Sequence, residues 1–163
     1  MIEKGRAVGG NGGGTFDLWR DNKPVDQLDV WYGRGSGDFE KDIILKGIKV
    51  RWAKDEQGHV EEGHAGSCPP KEEQSIMHTS FDLEKASGGN EPIYWMNIYG
   101  STGRVDSLRF ATHDAVTHDE RGYFEVGGIG GDQCTQPVNW RKLHGFYGRA
   151  GEDIDQLGAV FDD

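Results

Sequence analysis

From Ile43 to Trp52 the chain alternates in character. Ile48, Val50 and Trp52 are apolar, with Lys49 and Arg51 between them. A period of two sends like residues to one face, so this segment is predicted to be a half-buried antiparallel strand. Residues 30–32, 76–83, 93–99, 107–112 and 123–126 read as further strands. In residues 107–112, Leu108 and Phe110 share one face and Arg109 takes the other. Near the C-terminus an aromatic-rich run, residues 143–147, and the alternation Leu157, Ala159, Phe161 flank a polar segment. That order predicts strand, tight acidic loop, strand. A long polar loop with room for a ragged hairpin, residues 54–74, and glycine-rich or polar turns at Gly88-Gly89-Asn90, at residues 100–106 and at residues 127–132 separate the strands. Only residues 17–29 and 139–144 could hold a helical turn, and neither sustains an i, i+3, i+4 pattern. About ten short strands at regular spacing make the chain all-β: a sandwich, a barrel or a prism.

Composition narrows this picture. A chain of 163 residues fits a single domain spanning 1–163, and the 26 glycines against 5 prolines fit many tight turns between short strands. The net charge of -10, with no Lys/Arg run, excludes nucleic acid as the expected partner. No apolar run approaches the ~18 residues of a membrane span, so no membrane insertion is expected. The N-terminus has no apolar signal segment, which predicts a cytoplasmic protein if the chain is full length. Cys68 and Cys134 are read as free thiols.

The chemistry concentrates at the two ends of the chain. Residues 5–14 contain Gly9-Gly10-Asn11-Gly12-Gly13-Gly14, a run that exposes backbone N–H groups and lets a ligand approach the main chain. It also reads as a flexible linker. It lacks the lysine of a phosphate loop and the strand–helix unit of a dinucleotide site. The acidic loop, Gly151-Glu152-Asp153-Ile154-Asp155, holds three carboxylates in five residues. They sit too close together to flank a scissile glycosidic bond, and no nucleophile elbow or Ser-His-Asp order is legible. No enzyme is expected. Gly127-Gly128-Ile129-Gly130-Gly131-Asp132 matches the start of a calcium-binding nonapeptide repeat, but only one copy exists, so it reads as a turn. His113 and His118, like His59 and His64, read as surface histidines, and no metal site is expected. The acidic loop suits a sugar: a carboxylate, here Asp155, accepts from two vicinal hydroxyls, and the Glu152 and Asp153 amides donate to the same oxygens. A plain acidic turn is the alternative.

Two motifs carry a family resemblance. Gly9-Gly10-Asn11-Gly12-Gly13, and Gly145-Phe146-Tyr147-Gly148-Arg149-Ala150-Gly151-Glu152-Asp153-Ile154-Asp155-Gln156-Leu157-Gly158, resemble the jacalin-related lectins. The resemblance implies a β-prism I fold: three four-stranded Greek-key sheets about a pseudo-threefold axis, with the first and last strands in one sheet. It implies a metal-independent sugar site, without cofactor, formed by Gly13 and by Gly151, Glu152, Asp153 and Asp155. A recognition loop over residues 99–104 would supply Ser101, Thr102 and Arg104. Because residues precede the glycine-rich loop, the resemblance implies mannose- and glucose-type glycans as partners, with avidity from homo-oligomerisation or fusion to another domain. Gly37-Asp38-Phe39-Glu40-Lys41 lacks the terminal Asp of a second sugar loop, which predicts one site. The alternative function is a protein-interaction or targeting module of a larger toxin or effector, without sugar binding.

Overall fold

The computed structural model describes residues 1–71, 75–85, 89–114 and 116–163. Among these described residues are fifteen strands and one turn of 3-10 helix, Gly37–Phe39. The strands are β1 (Glu3–Lys4), β2 (Val8–Gly9), β3 (Gly14–Trp19), β4 (Val25–Arg34), β5 (Ile43–Trp52), β6 (Glu62–Gly66), β7 (Ile76–Asp82), β8 (Glu84–Lys85), β9 (Gly89–Asn90), β10 (Ile93–Ser101), β11 (Arg104–His113), β12 (Glu120–Gly127), β13 (Asp132–Thr135), β14 (Lys142–Ala150) and β15 (Ile154–Asp162).

Three antiparallel sheets make the prism. Each is built on a central hairpin: β14–β15 in the first sheet, β4–β5 in the second and β10–β11 in the third. Each hairpin is flanked by two outer strands that follow one another in sequence, β2 and β3, β6 and β7, or β12 and β13. The outer strand on β15 is broken, so β1 and β2 pair with it in turn. The expected fold is therefore present, with the first and last strands in one sheet. A small ribbon, β8–β9, is added.

The alternation read from the sequence is the inward face. Ile48, Val50 and Trp52 of β5 are buried, together with Leu28 and Val30 of β4 and Leu108 and Phe110 of β11. From the first sheet, Phe146, Leu157 and Phe161 join the same cluster. Phe110 packs on Phe81 and Phe124, with ring centroids 5.1 Å away in each case.

Two expectations change. Residues 17–29, which could have held a helical turn, supply the end of β3 and the start of β4, and residues 142–144 begin β14. Acids had masked the strand signal, because Asp26 and Asp29 are buried but paired, Asp26 with Arg51 at 2.8 Å and Asp29 with His78 at 2.7 Å. His113 is a buried residue, held edge-on against Trp140 with centroids 4.5 Å apart; His59, His64 and His118 are exposed as expected. The polar stretch after β5 contains β6. Of the turn Gly88-Gly89-Asn90, Gly88 lies outside the described residues, as do residues 72–74 of the long loop.

Candidate functional site

The sheet pairing brings the two chain ends together. Gly9 is in register with Gln156, and Gly14 with Ala150, so residues 10–13 arch over the turn between β14 and β15. The Gly10 N–H donates to the Asp155 carbonyl at 2.8 Å. The arch needs glycine at its ends, since Gly9 and Gly13 have φ of 119° and 65°, a region that side chains other than glycine's enter at a cost. It also needs glycine for space. A Cβ on Gly13 would lie 2.5 Å from the Ala150 carbonyl and 2.7 Å from Asp155 Oδ2. A Cβ on Gly12 would lie 3.2 Å from Asp155 Oδ1. The carboxylate of Asp155 therefore sits directly against the backbone of Gly12 and Gly13.

The three acids of the loop have different fates. Asp153 is buried; its carboxylate pairs with Lys46 Nζ at 2.6 Å and accepts from the Ser36 N–H at 2.9 Å. Glu152 accepts from Ser36 Oγ at 2.9 Å, and its carbonyl accepts from Ser67 Oγ at 2.6 Å. Those contacts tie the turn to the second sheet. Asp155 alone has no donor on its carboxylate among the described residues. Burial raises its pKa above the ordinary aspartate value, Asp153 adds to the rise, and Arg149 opposes it. Arg149 itself donates to the carbonyls of Gly12 and Gly13, at 3.1 and 2.9 Å, and pins the arch in place. Gly151 closes the turn by donating to the Asp153 carbonyl at 3.0 Å, and among the described residues the Glu152 and Asp153 amides meet no acceptor.

The recognition loop is only partly gathered in. Its turn touches the arch, because a Cβ on Gly10 would lie 2.5 Å from Gly103 Cα. Ser101 and Thr102 line a separate cleft of about 280 Å³ with residues 6–9 and 132–134, which Asp155 does not line. Arg104 turns away from Asp155. Its guanidinium reaches Asp42 at 2.6 Å and Asp106 at 3.0 Å, and lies over the Phe39 ring. Of the partners that steer these residues, Ser36 and Lys46 carry no motif and were not legible in the sequence, whereas Arg149 lies in the C-terminal motif.

Asp29, His78 and Ser80 meet on the second sheet, where both His78 Nε2 and Ser80 Oγ bond Asp29 Oδ1. Ser80 Oγ lies 3.4 Å from that same nitrogen. A proton relay needs the acid on one ring nitrogen and the hydroxyl on the other, which this arrangement does not provide. Among the described residues no group of three or more His, Cys, Asp or Glu converges to hold a metal. Cys68 and Cys134 are free thiols.

The sheets form an all-β prism in which a glycine arch lies over the Asp155 carboxylate, which has no donor among the described residues. The chain belongs to the jacalin-like lectin domain family, whose model matches residues 5–160. It is 27% identical to jacalin-related lectin 13 of Arabidopsis thaliana over 95% of this chain and 29% of that protein. It is 29% identical to myrosinase-binding protein 2 of the same plant, over 99% of this chain and 23% of that one. The chain thus spans less than a third of either relative. The structure of a mannose-binding jacalin-related lectin from Ananas comosus shares the fold with a TM-score of 0.63 at 20% identity, covering 98% of this chain and 96% of that one.

Proposed function

We propose that the chain is a non-enzymatic lectin domain that takes mannose- or glucose-type glycans at Gly12, Gly13 and Asp155. The observation that carries this reading is the Asp155 carboxylate, partly desolvated beneath two glycines and without a donor among the described residues. Desolvation strengthens a bond from a sugar hydroxyl, and a charged acceptor outdoes a neutral one. The amides of Glu152 and Asp153 donate to the same sugar oxygens, while Asp153's side chain holds the turn. The mannose-binding structural neighbour supports the sugar class.

The test is Asp155→Asn, titrated calorimetrically with methyl α-mannopyranoside and methyl α-glucopyranoside. Loss of a charge-assisted acceptor of roughly 1.5–3 kcal/mol lowers affinity by about ten- to a hundredfold, while the far-UV spectrum and melting profile stay native. Undiminished binding by the folded variant refutes the site.

A second reading follows from the relative named for binding myrosinase: a module that engages a protein partner. In that case free mannose, glucose and galactose fail to compete with the partner.

A further inference from the structure

The turn between β14 and β15 rests on the second sheet through three consecutive residues. The Glu152 carbonyl accepts from Ser67 Oγ at 2.6 Å, and the Asp153 carboxylate pairs with Lys46 Nζ at 2.6 Å. Ile154 packs on Gly66, where a Cβ would lie 3.0 Å from Ile154 Cδ1.

Ser67 is itself placed by backbone. It follows Gly66, whose φ of 76° turns the chain at the end of β6, and its N–H donates to the Lys46 carbonyl at 2.9 Å. Its carbonyl lies so close to β5 that a side chain on Gly47 would collide with it. Lys46 therefore serves twice: its carbonyl fixes Ser67, and its ammonium holds Asp153.

The Glu152 carbonyl and the Asp153 N–H belong to one peptide unit. That unit is trans and planar, so its C=O and N–H point in opposite directions. A donor on the carbonyl thus fixes where the N–H points, on the side of the turn away from Ser67. The other polar groups of Asp153 are occupied. Its carboxylate is held by Lys46 and Ser36, and its carbonyl accepts from the Gly151 N–H at 3.0 Å. The N–H alone meets no acceptor among the described residues. The Ser67 bond also acts through the conjugated unit. It draws electron density from the amide nitrogen, and hydrogen bonds in series strengthen one another.

We propose that Ser67 is a positioning residue for sugar binding: from the second sheet it aims and polarises the Asp153 amide, the donor that works beside the Asp155 carboxylate. This rests on the sugar site proposed above. Ser67 acts through one peptide unit and needs no contact with the sugar. Its side chain is half-buried and its bond lies at the surface, so the Glu152 carbonyl can turn to water when the hydroxyl is removed.

The experiment compares the intact, nitrogen-15-labelled chain with Ser67→Ala and with Ser67→Thr, which keeps a hydroxyl. Each is titrated with methyl α-mannopyranoside and methyl α-glucopyranoside. Ser67→Ala is expected to lower both affinities about fivefold, the worth of one neutral hydrogen bond. Its melting point moves by no more than about 4 °C. In the sugar-free spectrum the Asp153 amide nitrogen moves upfield, because its peptide has lost the bond on the carbonyl. Ser67→Thr restores both the affinity and the resonance. Undiminished affinity in folded Ser67→Ala overturns the inference and leaves the Asp155 site standing. An affinity loss without movement of the Asp153 resonance overturns it too, since the effect then travels by another route, and so does a folded Ser67→Thr that fails to restore binding. No binding by the unaltered chain overturns the proposed sugar site and this inference with it.

Discussion

Single residues decide whether the first arch can close. Gly13 combines a left-handed φ with contacts that leave no room for a side chain. Gly13→Val is expected to cost roughly 1–3 kcal/mol of stability through backbone strain, before its clashes are counted, and to abolish sugar binding; chemical denaturation and calorimetric titration measure the two effects. Gly14, one position on, has open space where its Cβ would stand, so Gly14→Ala is the control. Under the proposed function Asp155 also gives binding a pH dependence, because its carboxylate form is the proposed acceptor; its folded pKa is raised, chiefly by burial. Binding is therefore complete at neutral pH and falls on acidification through a midpoint above the ordinary aspartate value. Titrations from pH 7 down to the unfolding limit test this; a midpoint at or below the ordinary value refutes it.

The elements hold the acidic turn through partners from other sheets. Lys46 of β5 meets Asp153 with both side chains almost wholly buried. Lys46→Met leaves that carboxylate buried without its cation, and breaking such a pair costs roughly 3–5 kcal/mol. Lys49, also on β5, faces Glu62 at 3.5 Å with both side chains partly in solvent, and Lys49→Met is expected to change stability by no more than about 1 kcal/mol. Comparable melting points for the two variants would refute the distinction. The strands themselves were largely legible. β5 declared itself by its alternation, whereas β3 and the start of β4 were obscured by Asp17, Asp21, Asp26 and Asp29, whose pattern makes sense only once Arg51 and His78 lie beside two of them. His113 was misread for the same reason, because its cover, Trp140, comes from a distant turn.

At the scale of the molecule the three sheets share one core. Phe110, Phe146, Trp52 and Phe161, drawn from all three, are fully buried in a single cluster. Unfolding is therefore expected to be one cooperative transition, with tryptophan fluorescence and far-UV circular dichroism coincident. Phe110→Ala removes a ring from the centre of the cluster and is expected to cost about 3–5 kcal/mol, with both probes shifting together. Separate transitions would mean that the sheets are independent units.

The sequence by itself determined the all-β class, the position of most strands, the glycine arch and the acidic loop. These are local signals: a period of two, glycines where φ must be positive, acids clustered in a turn. Only the tertiary structure decided which acid is available. Asp153 and Glu152 are engaged by Ser36 and Lys46, more than a hundred residues away, and Asp155 is left open beneath Gly12 and Gly13. Residues 127–131 likewise read as an isolated turn until sheet pairing set Asp106, buried and paired with Arg104, beneath them. Availability of a carboxylate depends on what surrounds it in space, and those neighbours come from segments far apart along the chain.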